Sequence, residues 1–384
     1  MLRKPLELYI HIPFCERKCG YCDFLSGPAP MNIQRRYAEQ MIKEIACQSK
    51  HYPGYRVVSV FLGGGTPSLL EPGQILDIMK AVRGNFRLEV DAEVTMEMNP
   101  GTVTMEKLQA CRESGINRVS IGLQSADDKE LKTLGRVHTY DEFLKTYQRA
   151  RQAGFANVSV DLMSALPGQT LSSWKATLKR VTMLKPEHIS AYSLMIEEGT
   201  PFYSRYHGHP ELLPDEEEER KMYYLTKQYL HSHGFERYEI SNYARPGFEC
   251  RHNTGYWTGV EYLGLGLGAS SYIHGFRFRN EADLEVYCGI EMEGADADDR
   301  LHKEIVRLTE KERMEEFMFL GLRMTRGVSG TEFEKRFGVT LGDVYGKVLD
   351  KLVKNGLVIL EEPYVRLSDF GVDISNYVLS EFLL

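Results

Sequence analysis

Six short runs rich in β-branched and aromatic residues punctuate the first half of the chain: Leu6–Ile12, Val57–Leu62, Glu93–Met98, Arg118–Leu123, Asn157–Met163 and His188–Leu194. Segments with helical periodicity lie between them. In Ile33–Cys47, Tyr37, Met41, Ile42 and Ile45 recur at three- and four-residue steps, and Ser172–Leu184 and Glu216–His231 read the same way. Strand alternating with helix predicts parallel βαβ units in an α/β fold, as an open sheet or a barrel. Six strands are too few for an eight-unit barrel, so residues 1–235 are expected to form a partial (βα)6 barrel, open on one side.

Polar and glycine residues gather where these strands end. Cys15, Cys19 and Cys22 follow the first run, and Gly63-Gly-Gly-Thr-Pro67 follows the second. Glu97 and Asn99 close the third, Gln124 follows the fourth, and Asp161 lies late in the fifth. Active sites of α/β barrels collect on that face, so five units pointing to one rim predict a site there.

The remaining sequence divides in two. Residues 236–300 carry Tyr, Gly and Arg in extended-looking runs and read as a connecting region. Residues 301–384 are expected to form a smaller, winged-helix-like end. Glu310–Arg323 is amphipathic, Ser329–Phe337 and Leu341–Asn355 look helical, and Val358–Leu360 and Tyr364–Leu367 flank a Glu361-Glu-Pro363 turn. Its 12 Lys+Arg and 14 Asp+Glu speak for packing or partner docking rather than DNA binding or a regulator's role. The whole chain, at a formal charge of −7, has no electrostatic footprint for nonspecific nucleic-acid binding. Seven cysteines, three of them in one motif, argue against a disulfide framework. With no signal-peptide pattern and no apolar run near ~20 residues, no transmembrane segment is expected and a reducing cytoplasm is the expected home.

The spacing C-x3-C-x2-C of Cys15, Cys19 and Cys22 constrains chemistry as tightly as the strands constrain fold. A 4Fe–4S cluster normally takes four thiolates; three would leave one iron open to an exchangeable ligand, as reductive cleavage of S-adenosylmethionine (SAM) requires. Structural zinc is the alternative, closing four positions, and His11 is the candidate fourth ligand. The cysteine motif resembles the radical SAM superfamily. That resemblance implies a 4Fe–4S cluster on the three cysteines, a one-electron donor such as flavodoxin or ferredoxin, and SAM contacts from Tyr9 and from Tyr21, which would meet the adenine. It also implies that Gly64, Gly65 and Thr66 hold the methionine amino group through backbone carbonyls. A tight turn is the plainer reading of the glycines, and a P-loop is excluded because no Lys-Ser/Thr follows. Arg136 suits the SAM carboxylate, while Glu97, Gln124 and Asp161 suit the ribose hydroxyls.

Glu97-Met-Asn-Pro-Gly-Thr102, Ser120-Ile-Gly-Leu-Gln-Ser125 and Asp161-Leu-Met-Ser-Ala-Leu-Pro-Gly-Gln169 resemble one branch in particular, that of the oxygen-independent coproporphyrinogen III oxidase. The oxidase has a further cysteine where this chain has Phe24, which counts against coproporphyrinogen dehydrogenase activity. His252-Asn-Thr-Gly-Tyr-Trp257 instead resembles the HemW-type haem chaperones. That resemblance implies haem as a ligand, an acceptor protein to receive it, and haem contacts from His252, Asn253, Tyr256 and Trp257, with His252 a candidate iron ligand. The alternative is a structural corner with His252 hydrogen-bonded internally. A radical SAM haem chaperone is thus the expected function, with the oxidase, converting propionates to vinyls, as the alternative.

A cubane missing one thiolate is labile. Alanine at Cys15, Cys19 or Cys22 should therefore abolish cluster binding, whereas Cys47→Ala, Cys111→Ala and Cys288→Ala should not. Iron and sulfide assays of anaerobically reconstituted variants decide this, and full iron content in Cys19→Ala would refute the assignment.

Overall fold

The structure is a computed structural model that describes residues 3–294 and 296–384. Its central strands are β1 (Lys4–Ile12), β2 (Tyr55–Gly64), β3 (Leu88–Met98), β4 (Arg118–Gln124), β5 (Asn157–Ser164) and β6 (His188–Ser193). Each covers one of the six expected runs or all but its last residue, and they pair in sequence order, all parallel. The crossovers are α1 (Met31–Gln48), α2 (Pro72–Asn85), α3 (Met105–Glu113), the pair α4 (Asp128–Leu134) and α5 (Tyr140–Gln152), and α6 (Leu171–Thr182). After β6 come α7 (Pro201–Tyr206) and α8 (Glu216–His231). Trp174 of α6 is fully buried and donates its indole N–H to Thr226 of α8 at 2.8 Å, joining the two helices.

Strand alternation sets the two faces of the sheet. Leu6, Leu8, Ile10 and Ile12 of β1, Val94, Met96 and Met98 of β3, and Val158, Val160 and Leu162 of β5 are buried in one large core that also takes in α1, α2 and α6. The residues between them point the other way: Glu7, Tyr9 and His11; Glu93, Thr95 and Glu97; Ser159 and Asp161. A parallel sheet covered by helices on both faces is normally apolar on both. Here the inner face is lined with carboxylates, hydroxyls and imidazoles, so it is a lumen built for polar contents.

Residues 236–307 continue the same sheet at both edges. β7 (Glu236–Arg237) and β8 (Asn242–Ala244) add antiparallel to β6. After α9 (Arg251–Thr258), strand β9 (Tyr262–Leu265) lies parallel to β1. β10 (Ser270–Ile273) and β11 (Phe276–Asn280) extend that edge, followed by α10 (Leu284–Cys288), α11 (Ala297–Leu301) and β12 (His302–Arg307). The order β12-β11-β10-β9-β1-β2-β3-β4-β5-β6-β8-β7 makes one 12-stranded sheet. The stretch expected as a connecting region thus supplies both margins of the barrel. Gly264 lies in β9, and Gly266 and Gly268 form the turn that leads from it into β10.

The C-terminal body begins at Thr309 rather than at 301, because β12 belongs to the large sheet. The Thr309 hydroxyl and Glu312 cap each other's backbone at the start of α12 (Glu310–Gly321). Then follow β13 (Val328–Ser329), α13 (Gly330–Phe337), α14 (Leu341–Lys354), β14 (Val358–Glu361), β15 (Tyr364–Leu367), α15 (Asp369–Asp373) and α16 (Ser375–Ser380). Helices α12, α13 and α14 with the β13-β15-β14 sheet form the winged-helix-like unit expected, and the short α15 and α16 complete it. It has its own core around Met318, Phe333, Tyr345, Leu352 and Phe382. Among the described residues, no helix is long and apolar enough to cross a membrane.

Candidate functional site

The cysteine loop between β1 and α1 is pinned at several points. Cys15 donates its backbone N–H to Gly27 O and Gly27 to Pro13 O, both at 3.0 Å. Gly20 donates to Leu134 O at 3.2 Å and accepts from Phe202 N–H at 2.9 Å, tying the loop to α4 and α7. His11, buried at the end of β1, has Nε2 2.9 Å from Leu25 O and Nδ1 3.0 Å from the Tyr9 hydroxyl. Both its nitrogens are engaged, so the candidate fourth ligand of a zinc site serves instead as an anchor for the loop. Cys15, Cys19 and Cys22 are free and half-buried. Two donors face them: Thr66 Oγ1 lies 3.6 Å from Cys15 Sγ and Arg136 Nη1 3.7 Å from Cys19 Sγ.

All three cysteines open into one cavity of about 140 Å³ on the C-terminal rim. Its walls also include Tyr21, Gly64, Gly65, Thr66, Glu97, Gln124, Arg136 and Asp161. The structure therefore brings together every residue expected around the cluster and SAM except Tyr9. Tyr9 lies one layer lower in the lumen, near Phe61 and His252. Ser120 and Gly122 also line the cavity and were not assigned from sequence, as does Asn99, which was placed on the rim but given no ligand. Asn99 had the strand-end signal of its neighbours, whereas Ser120 and Gly122 lie within β4, four and two residues before Gln124, where alternation was the signal.

The glycines of β2 are there for space. Gly64 has φ of +109°, and a Cβ would lie 2.4 Å from the His11 ring; at Gly65 it would lie 2.6 Å from Phe14 O. Backbone therefore forms this edge of the cavity, and Gly64 N–H donates to Glu97 Oε2 at 3.1 Å. Arg136 is braced from two sides: Nη2 donates to Asn99 Oδ1 at 2.8 Å and to Gly122 O at 2.7 Å, and Asn99 Nδ2 donates to Thr66 Oγ1 at 2.8 Å. Its Nε is buried without a partner. Gln124 sits at φ of +69°, uncommon for glutamine.

Two carboxyls share the cavity. Asp161 accepts from Ser120 at 2.9 and 3.0 Å, yet burial raises its pKa above the usual range. Burial, and then the charge of Asp161, push Glu97 up to about 8 against the opposing pull of the Gly64 N–H. A loop of three cysteines, a braced guanidinium, a backbone edge and two hydrogen-bonding carboxyls suit a cluster and a small zwitterion bearing hydroxyls.

The His252–Trp257 motif lies elsewhere, on α9 at the N-terminal end of the lumen. Glu93 caps this helix, accepting from Arg251 N–H at 3.2 Å and His252 N–H at 3.3 Å. Gly255 faces Glu7, whose carboxylate would lie 2.0 Å from a Cβ. His252 is buried, its ring stacked on Phe61 at 5.1 Å. Its Nδ1 is 2.9 Å from Ser59 Oγ and its Nε2 3.0 Å from the Tyr256 hydroxyl. Burial, with Arg118 adding to it, lowers its pKa to about 3. A neutral imidazole has one donor and one acceptor, and both are used here. The expectation that His252 offers a nitrogen to haem iron thus gives way in this conformation to internal hydrogen bonding, enforced by its depth.

Tyr256, whose hydroxyl meets His252, and its neighbour Trp257 also reach a second cavity. They line a cavity of about 390 Å³ between α9, the β9–β11 edge and the winged-helix unit. Tyr262, Tyr272, Phe317 and Tyr364 add further aromatic wall, with Arg277, Arg313, Arg326 and Arg336 among the charged residues. Arg277 is committed to Glu316 at 3.0 and 2.9 Å, and the Arg323 guanidinium lies 4.4 Å over the Trp257 ring. Asn253 is half-buried on the same helix and does not line this cavity.

With no ligand bound, Glu97 keeps its proton to about pH 8 in the folded chain, against an ordinary 4.5. The folded state then binds more protons than the unfolded across that window, so stability falls as pH rises through it. Glu44, raised to about 7 by burial, adds to the decline. Urea unfolding followed across that window should fall less steeply for Glu97→Gln, by up to ~1.4 kcal/mol per pH unit. An unchanged slope would mean that Glu97 is already ionised in the folded protein.

Residues 9–181 match the radical SAM superfamily and residues 308–374 match the HemN C-terminal domain. The heme chaperone HemW of Lactococcus lactis is 35% identical over 100% of this chain and 99% of its own length. That of Bacillus subtilis is 37% identical, over 98% of each chain. The solved structure of the radical SAM enzyme coproporphyrinogen III oxidase (HemN) from Escherichia coli aligns with a TM-score of 0.86 at 25% identity, covering 100% of this chain and 91% of that one. From relatives aligned over essentially its whole length, the chain belongs to the HemW family of the radical SAM superfamily.

Proposed function

We propose that this chain takes up haem in the aromatic cavity beside α9 and passes it to an acceptor protein in the cytoplasm. On this reading Cys15, Cys19 and Cys22 hold a 4Fe–4S cluster, supplied with electrons by a small one-electron carrier such as flavodoxin or ferredoxin. SAM occupies the rim cavity, its carboxylate on Arg136, its amino group on the Gly64–Thr66 edge and its ribose among Glu97, Gln124 and Asp161. When bound, the cluster supplies one electron to the SAM sulfonium. The residues around it bind and orient: Asn99 and Gly122 brace Arg136, and Ser120 aims Asp161.

The observation that carries the haem reading is the cavity walled by Tyr256, Trp257, Tyr262, Tyr272, Phe317 and Tyr364. Flat aromatic faces suit a porphyrin plane, and Arg313 and Arg326 offer cations for its propionates. His252 then acts as a positioning residue that fixes the Tyr256 hydroxyl from below. Phe24, where the oxidase has a cysteine, supports haem carriage over propionate decarboxylation.

Anaerobic protein given SAM, reductant and either haem or coproporphyrinogen III tests this. Haem should bind stably and no vinyl product should form. Trp257→Ala should weaken haem binding about tenfold, as expected for losing one aromatic contact, while cluster iron stays unchanged. His252→Ala should bind more weakly through Tyr256, with no loss of an axial-ligand band. Conversion of coproporphyrinogen would hand the assignment to the oxidase, and loss of the band in His252→Ala would restore His252 as the iron ligand.

A further inference from the structure

Cys47 and His51 lie four residues apart where α1 ends in a single 3-10 turn, Ser49–His51, so both side chains leave the same face. Asp298 of α11 comes to meet them. The ligand atoms of Cys47, His51 and Asp298 all lie within 4.8 Å of one another, with His51 Nε2 3.2 Å from Asp298 Oδ2. None of the chemistry proposed above uses them. α1 is 18 residues long, about 27 Å, and runs away from the cysteine loop, so this group sits at the far end of the helix from the cluster.

A surface ion pair between His51 and Asp298 accounts for two of the three residues, but not for the thiol or for what lies behind. Gln48, 1% exposed, donates from Nε2 to the other carboxylate oxygen, Asp298 Oδ1, at 2.7 Å, while its own Oε1 is buried without a partner. That bond turns Asp298 Oδ2 toward His51 and Cys47. A carboxylate oriented from behind by a buried amide is the arrangement that supports metal ligands.

We propose that Cys47, His51 and Asp298 form a binding site for a borderline divalent cation of the zinc class, separate from the cluster. One sulfur, one nitrogen and one oxygen suit zinc, and not magnesium or calcium, which take oxygen alone. Three protein ligands leave a fourth tetrahedral position for water. The ion would tie the end of α1 to the segment that leads into β12 and so fasten the helix layer to the outer sheet edge.

The test uses anaerobically purified, cluster-loaded protein equilibrated with micromolar free zinc, with zinc and iron per chain measured by mass spectrometry. Wild type should retain about one zinc per chain more than a Cys47→Ser/His51→Ala double variant, at equal iron in both, because the cluster cysteines are untouched. Gln48→Leu, which keeps the side-chain volume, should weaken zinc binding about ten- to hundredfold, as loss of an outer-shell partner does. Equal zinc in wild type and the double variant, or no zinc in wild type under these conditions, overturns the proposal.

Discussion

One buried cation organises the lumen. Arg118, at the start of β4, is 2% exposed, and a guanidinium so far from water must be neutralised by what surrounds it. Glu93 and Asp161 are among the groups whose charge favours its ionised form. Each of these carboxylates has a second task. Glu93 caps α9, which closes the lumen at one end; Asp161 lines the rim cavity at the other. The same cation helps keep His188 and His252 neutral, after burial as the main cause. Plug, lumen and rim thus share one charge balance, and replacing Arg118 would disturb both cavities together.

Two cavities at opposite ends of one barrel separate two kinds of chemistry. The rim cavity is small, carries thiols, and is edged by backbone where glycines admit no side chain. The cavity beside α9 is larger, aromatic, and half built by the winged-helix unit. On the proposed reading the ligand that needs a sheltered electron donor and the ligand that must be handed on never compete for the same walls. Tyr256 is the physical hinge between the lumen and the second cavity: its hydroxyl meets His252 and its ring packs edge-on against Tyr262 at 4.6 Å.

Much of this was legible in the sequence because period-two alternation registers directly which face a residue takes. The six strands, the rim residues Glu97, Gln124 and Asp161, and the helix–helix–hairpin end follow from local pattern, whereas Arg136, which follows α4, was singled out by its chemistry alone. Depth was not legible. Tyr9 and His252 have the right chemistry for ligands, but where they sit depends on the lumen around them. The edge strands β7–β12 are two to six residues long, and β8 and β9 find their partners far away along the chain, so their pattern was too short to read. Cys47 and Asp298 are separated by 250 intervening residues and meet only through the sheet edge. Asn99 lay in a quoted motif, yet its bridge from Thr66 to Arg136 appears only in three dimensions.

The central claim is that three thiolates leave one iron of a cluster open to SAM held by Arg136. Electron paramagnetic resonance of the reduced, iron-replete protein measures this most directly. Adding SAM should change the cluster spectrum, and Arg136→Ala should need roughly ten- to hundredfold more SAM for the same change, the cost of losing a hydrogen bond to a charged group. A fully loaded cluster whose spectrum is identical with and without saturating SAM would contradict the account.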